Sequence, residues 1–412
     1  MNAERFPDRE QLYSLIRNAS DSFTKVIVLN GNNYSNYPYG SFPTYLAAGN
    51  QIFTQNGNLS DLQKFIFNNS GIKFGFLGYD LKNEIEAISS NNFDGVLLPN
   101  FGFLVPEIFI DFTTVNPINN LKNSFKWTDY NTFQTKFKGE IKSRVTKKDY
   151  IKTVNLIQER IQNGEVYEMN FCIEFYIEDI DIDPVGLYTL LNSSAPMPFS
   201  AFMKWDNHYL ICASPERFLK KDRNKLISQP IKGTAPRSKD LKKDELIKTQ
   251  LQHSEKEIAE NTMIVDLVRN DLTKCATDGS VNLYELCKVY SFPNVHQMIS
   301  TVVAESKHDI TFTDIIKSSF PMGSMTGAPK YAAMKYIEQY EHTKRGLYSG
   351  AIGYIDENGN FDFNVVIRSV IYNASAKYLS FQVGSAITID ANPEQEYEEC
   401  LVKAKAIFEL FG

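Results

Sequence analysis

Two periods of apolar spacing run along this chain, and they predict different elements. In "TKKDYIKTVNLIQERIQNG", Val154, Ile157 and Ile161 recur at helical spacing. Thr146 and Asp149 form a capping box in front of them, and Gly164 closes the segment. "LKKDELIKTQLQHSEKEIAENTMIVDLVRNDLTKC" is a long helix-forming stretch that admits interruptions, and "PEQEYEECLVKAKAIFELFG" starts a helix at or near Pro393. Elsewhere the runs are short and strand-like. The first ~125 residues hold segments such as "KVIVLN" and "FGFLGYD" among many Asn, Tyr and Gly turn positions. "SAFMKWDNHYLICASPERFLKK" reads as two strands around Asp206-Asn207. "GLYSGAIGYIDENGNFDFNVVIRSVIYNASAKYLSFQVGSAITID" reads as a meander with turns at Glu357–Asn360 and Asn373–Lys377. Strands follow strands, so the fold class is α+β with antiparallel sheets.

At 412 residues the chain is too long for one small core. We divide it into a β-rich half (1–126), a polar and basic connecting segment (127–148) and a larger region (149–412). The formal charge of −6 argues against nucleic acid and against an anionic membrane as partner. An anionic substrate would then need local basic groups or a metal. The five cysteines form no CxxC pair and no zinc spacing, and the N-terminus has no apolar signal core. No run approaches the length of a membrane span, so a reduced, cytoplasmic protein is expected.

Two features invite chemistry. In "SQPIKGTAPR", Lys232 follows an extended Pro-Ile pair and precedes Gly233, which permits a bend or a close backbone approach. It is either a strand-end lysine reaching water or a functional amine. Glu257 and Glu260 lie three apart on one predicted helix, and Glu396 and Glu399 on another, so each pair shares a helix face. If the helices converge, four carboxylates need a cation, and an all-oxygen set suits Mg²⁺. The alternative is solvated helix faces, with Glu394 and Glu398 completing an acidic first turn.

The motifs "PIKGTAPR", "ENTMIVDLVRNDL", "SSFPMGSMTGAPKYAAM", "RGLYSGAIGY" and "PEQEYEECLVKA", in this order, resemble those of the chorismate-binding enzymes. That group includes the anthranilate, aminodeoxychorismate, isochorismate and salicylate synthases. The resemblance is strong from Val145 to Phe411 and weak through "FGFLGYDLKNEIE". It implies antiparallel sheets packed face to face with flanking helices. "GSMTGAPK" resembles the ammonia-using branches. Lys232 stands where aminodeoxychorismate synthases carry lysine and anthranilate synthases alanine.

The implied reaction converts chorismate and ammonia to 4-amino-4-deoxychorismate, on the route to para-aminobenzoate and folate. Lys232 adds at C2 as the C4 hydroxyl leaves; ammonia then adds at C4 and expels the lysine. By the same resemblance Glu216 serves acid/base chemistry near the leaving hydroxyl. Glu257, Glu260, Glu396 and Glu399 hold Mg²⁺, which binds the ring carboxylate. Thr326 and Gly327 lie in the substrate loop. Tyr348, Arg368 and Lys403 hold carboxylates, and Gly384-Ser385-Ala386 form a turn whose N–H groups face one.

The chain departs from the pattern in places. Gln297 replaces a pocket histidine, with His296 one place early, and a glutamine cannot transfer a proton at neutral pH. Glu168 stands where the family has glutamine, or the water-activating lysine of isochorismate synthases. A carboxylate there can pair with Lys232 and keep it charged until substrate arrives. The "GSA" segment is less glycine-rich than usual. No glutaminase motif is present, so ammonia is expected from a separate glutamine amidotransferase subunit. The chain stops soon after the last motif, so no fused lyase is expected. The "LLES" feedback signature is missing, so tryptophan inhibition is not expected. The alternatives are an anthranilate synthase large subunit and a non-catalytic chorismate-binding subunit.

Overall fold

The computed structural model describes residues 9–34, 36–50, 52–54, 58–113, 137–293 and 295–411. Residues 127–136 of the expected connecting segment lie outside them. Among the described residues two ten-stranded antiparallel sheets form the body. The first runs Gly327–Ala328, Glu168–Ile177, Tyr378–Ile387, Ser369–Asn373, His208–Ser214, Phe199–Trp205, Lys25–Asn30, Tyr45–Gly49, Ile108–Asp111, with Lys142–Ser143 added beside Glu168–Ile177. The second runs Ile231–Pro236, Val295–Glu305, Lys225–Gln229, Arg217–Asp222, Phe361–Asn364, Ala351–Ile355, Lys73–Leu77, Phe101–Leu104, Ile52–Thr54, with Asn282–Ser291 on Val295–Glu305. Strands from residues 25–111 complete both sheets.

The alternation of side chains decides what each face meets. In "KVIVLN", Ile27 and Leu29 enter the core shared by the two sheets, while Val26 and Val28 enter a second core under helices. The run is apolar throughout because both faces are covered. Between the sheets, the Phe76 ring meets Trp205 edge to face at 5.1 Å. A Cβ at Gly102 would fall 2.6 Å from the Trp205 ring, so only glycine lets the sheets close there. Helices Arg9–Ser22, Lys147–Gln162, Pro184–Ser194 and Pro393–Phe408 cover the first sheet with Leu15, Tyr150, Leu187 and Ala404.

The helix ends follow their local chemistry. Thr146 caps Lys147–Gln162 by accepting from the Asp149 N–H, and Gly164 takes φ +75° behind it. The long helical stretch divides into Leu241–Gln252 and Glu255–Cys275, because Ser254 caps the second helix from the Glu257 N–H. Asn392 caps the last helix, with Pro393 in its first turn.

The expected meander is corrected. Ala351–Ile355 and Phe361–Asn364 pair in the second sheet, whereas Ser369–Asn373 and Tyr378–Ile387 pair in the first. The chain changes sheets across 365–368. It makes the same change, in the other direction, between His208–Ser214 and Arg217–Asp222. The two crossings touch: Val365 N–H donates to Glu216 O at 3.0 Å, and Ala213 N–H to Arg368 O at 3.2 Å. Beside them Arg217 is fully buried. It pairs with both Asp362 oxygens at 2.8 and 2.9 Å and donates to the Gly40 and Pro38 carbonyls.

Asp362→Ala would leave the buried guanidinium uncompensated, at a cost of about 3–5 kcal/mol. Urea unfolding should show the midpoint falling accordingly; an unchanged midpoint would mean that the pair contributes nothing net.

Candidate active site

Lys232 lies on the end strand Ile231–Pro236, where the pairing to Val295–Glu305 slips between Ile231 and Thr234. Gly233 supplies the bulge at φ +89°, and a Cβ there would press on Glu257 at 3.1 Å. The bend turns the lysine away from water. Its side chain is 10% exposed, and Nζ donates to Glu168 Oε1 at 2.8 Å. The reading of a strand-end lysine in solvent is thereby set aside. Burial alone would lower its pKa, but Glu168, Glu260 and Glu216 outweigh burial and raise it. Glu168 is 1% exposed, and its other oxygen, Oε2, is buried with no hydrogen-bond partner.

Glu216 sits at the crossing that follows His208–Ser214. The strand direction sends Arg217 to its core ion pair and leaves Glu216 facing the site. Ser324 Oγ donates to Glu216 Oε1 at 2.7 Å. Burial pushes the Glu216 carboxyl up to about 7, against the pull of Ser324 and Lys232. Ser324 lies inside the quoted "GSMTGAPK" loop, but sequence reasoning did not single it out. Arg368 occupies the other crossing at φ +52°. Burial lowers its pKa against the pull of Glu216, and among the described residues its guanidinium makes no ion pair, so it is a cation available to an anion.

The two glutamate pairs do face one another. Lys256 Nζ stands between the helices, 3.0 Å from Glu396 and 3.8 Å from Glu260. Burial raises the Glu260 carboxyl to about 7, and burial with repulsion from Glu399 raises Glu257. Glu399 lies further out and pairs with Lys403 at 2.7 Å. Among the described residues no three His, Cys, Asp or Glu groups close into a metal cage; Lys256 is paired with Glu396 and Glu260, and Lys403 with Glu399. The donor set nevertheless suits a hard cation: all its atoms are oxygens, and Glu260 Oε1 is buried without a hydrogen-bond partner.

The loop after Phe320 is tied to the first sheet. Gly327 pairs with Met169 and Ala328 with Glu168. At Gly327, with φ +146°, a Cβ would fall 2.2 Å from Glu168 O, so no other residue fits. The Thr326 hydroxyl is turned inward to Met322 O at 3.1 Å. Arg345, also missed in the sequence, clamps this loop: it donates to Met325 O at 2.6 Å and Asn170 O at 3.0 Å and is held by Glu341. Tyr348 is buried, with its hydroxyl 3.9 Å from Cys172 Sγ.

Gly384-Ser385-Ala386 is not a turn. The three residues lie within strand Tyr378–Ile387, paired with Cys172, Phe171 and Asn170. A Cβ at Gly384 would meet Cys172 Sγ at 2.5 Å, so glycine permits the strand contact rather than a bend. Lys403 Nζ donates to Gly384 O at 3.0 Å, which shows that the Gly384 backbone faces away from the paired strand. By alternation the Ala386 N–H faces the same way, and the Ser385 side chain instead bonds Tyr150 at 2.8 Å.

His296 and Gln297 point to opposite faces of their strand. His296 bonds Ser291 at 2.8 Å and Asp244 at 3.1 Å, away from Lys232. Gln297 pairs across to Thr234, is fully buried, and has no partner for either amide atom.

Comparison with known proteins places this geometry in a lineage. Aminodeoxychorismate synthase, chloroplastic, from Arabidopsis thaliana is 42% identical over 264 residues, 63% of this chain and 28% of that protein. The chain thus spans less than a third of the length of the plant relatives it matches. Aminodeoxychorismate synthase component 1 of Escherichia coli is 31% identical over 347 residues, covering 82% of this chain and 76% of that one. The crystal structure of anthranilate synthase component I from Streptococcus pneumoniae superposes with a TM-score of 0.78 at 24% identity, covering 98% of this chain and 99% of the other, and so shares the fold. The profile of the chorismate binding enzymes matches residues 37–409, and the chain belongs to that family.

Proposed function

We propose that this chain aminates chorismate to 4-amino-4-deoxychorismate, using ammonia from a glutamine amidotransferase subunit, on the route to para-aminobenzoate and folate. The observation that carries the reading is the buried Lys232, drawn out of solvent against Glu168 with Glu216 and Arg368 close by. The names of the Arabidopsis and Escherichia coli relatives point the same way. We place the reaction in the cytoplasm, in keeping with five free thiols; among the described residues no helix is long and apolar enough to cross a membrane.

The residues divide the work by their environments. Arg368, with no carboxylate of its own, would take a substrate carboxylate bidentately. The outward-facing N–H groups of Gly384 and Ala386, with Lys403 beside them, offer a second anion position. Gly327 lets the substrate lie against bare backbone, and Arg345 keeps that loop in place. Lys232 Nζ forms a bond to C2, the ring double bonds shift, and the C4–O bond breaks. Glu216, protonated near neutral pH, gives its proton to the leaving hydroxyl, which departs as water. Ammonia then bonds to C4, the double bonds shift back, and the C2–N bond breaks to release Lys232; the new C4 ammonium returns a proton to Glu216. The site offers Glu168 rather than a lysine to an incoming water, so hydrolytic addition has no base of that kind. Glu257, Glu260, Glu396 and Glu399 would hold Mg²⁺ once Lys256 and Lys403 swing aside. When bound, the ion offsets the charge of the ring carboxylate.

The direct test is product analysis with chorismate, Mg²⁺ and ammonium, with and without an added lyase. The product should need the lyase for aromatisation; free anthranilate and pyruvate would instead indicate the anthranilate reaction. Lys232→Ala should lose the aminated product by at least ~100-fold while still binding chorismate, and mass spectrometry of quenched wild type should find the substrate adduct on the Lys232 peptide. The rate of the first displacement should fall about tenfold per pH unit above ~7, because Glu216 loses its proton as pH rises through its raised value. A rate that kept climbing there would remove Glu216 as the acid. Glu260→Gln should abolish the response to Mg²⁺ in a titration calorimeter as well as turnover, whereas full activity in EDTA would exclude the metal.

A further inference from the structure

Among the described residues, three buried polar side chains near Lys232 hold atoms without a hydrogen-bond partner: Glu168 Oε2, Glu260 Oε1 and the whole Gln297 amide. Glu168 is the one in direct contact with the amine. We propose that Glu168 is a catalytic residue, the acceptor that takes the Lys232 proton as chorismate enters and returns it when the lysine leaves. This rests on the reading of Lys232 as nucleophile.

The geometry supports it in three ways. First, the pair is isolated from water, with Lys232 10% and Glu168 1% exposed, at a separation of 2.8 Å. The neighbouring carboxylates hold the resting lysine in its charged form, and with so little solvent in reach the acceptor hydrogen-bonded to its proton is Glu168 Oε1. Second, Glu168 stands at the head of strand Glu168–Ile177 and pairs with Ala328 of the substrate loop, while Tyr167 N–H donates to Ala328 O at 2.7 Å. Any ligand seated on that loop therefore lies against the carboxylate's backbone and displaces what water remains. Third, the other carboxylates around Lys232 are less suited to the role. Glu260, on helix Glu255–Cys275, and Glu216, at the crossing, act on the amine through space, without a hydrogen bond to it. Glu216 must also hold a proton for the leaving group, and neither lies within 4 Å of Nζ.

The proton balance closes. The ammonium of Lys232 passes H⁺ to Glu168 Oε1, which leaves a neutral amine and a neutral acid. Rotation about Cε–Nζ turns the lone pair to C2, and the C–N bond forms as the C4–O bond breaks. In the second displacement the C2–N bond breaks, Lys232 leaves as the free amine, and Glu168 restores its proton. No exchange with solvent is needed at any point.

That internal transfer gives a signature. With chorismate, Mg²⁺ and full-length protein, adduct formation on the Lys232 peptide is followed by rapid quench and mass spectrometry. Between about pH 5.5 and 7, where Glu216 stays protonated, the wild-type rate should be flat, because the pair loses no proton to water. In Glu168→Gln the lysine must release its proton to solvent, so the rate should rise about tenfold per pH unit over the same range. Glu168→Asp retains a carboxylate and should restore the flat profile at a lower rate, which a purely structural role would not do. A Glu168→Gln profile as flat as wild type, or a rise in both variants, would overturn the proposal. No adduct in wild type at any pH would overturn the nucleophile reading itself, and this inference with it.

Discussion

The site depends on one topological constraint: two neighbouring segments leave one sheet for the other at the same place. The segment after Ser214 passes from the first sheet to the second, and 365–368 passes back. Each crossing satisfies the other's backbone through Val365 to Glu216 and Ala213 to Arg368. A backbone that leaves a ladder must find such partners or remain unpaired in the interior. Side chains at the junction therefore stand in space that neither sheet fills, and Glu216 and Arg368 are those side chains. The positive φ of Arg368 belongs to the same turn.

Electrostatics then follows from burial rather than from net charge. The chain is acidic overall, yet the site keeps Lys232, Lys256, Arg368 and Lys403 near its carboxylates. Desolvation drives Glu216 and Glu260 toward the neutral form and lowers the Arg368 pKa against the pull of Glu216. Gln297 belongs to the same economy of charge: a neutral amide with two unmet hydrogen-bonding needs occupies the position where the resemblance led one to expect a titrating ring.

Features set by near neighbours were legible in the sequence. The Thr146 and Pro393 helix starts, the Asp206-Asn207 turn and the Gly233 bend all follow from local chemistry, and the structure carries each. The opposed faces of His296 and Gln297 follow from the strand period alone. What could not be read is which sheet a strand joins. Nothing within "NFDFNVVIRSVIY" marks the change of sheet at 365–368, because pairing partners lie far away in the chain. For the same reason Gly384 looked like a turn glycine; its reason, the Cys172 thiol, comes from a strand more than two hundred residues earlier by number. Lys256 was hidden among solvated helix residues, although its i,i+4 relation to Glu260 was available to inspection. Arg345 sat in plain view in "RGLYSG", but its partners are backbone carbonyls, which no sequence pattern displays.

The interleaving of both halves in both sheets also sets a timetable for the nascent chain. Strand Lys73–Leu77 finds one neighbour at Phe101–Leu104, but its other neighbour, Ala351–Ile355, is made roughly 270 residues later. At ordinary rates of synthesis that is a wait on the order of tens of seconds with an apolar strand edge unpaired. Lys25–Asn30 waits similarly for Phe199–Trp205. Such a chain cannot fold piecewise behind the ribosome. It demands shelter for its early strands, so the yield of folded protein in a cell should depend on chaperone supply and on the pace of translation as much as on the stability of the finished molecule.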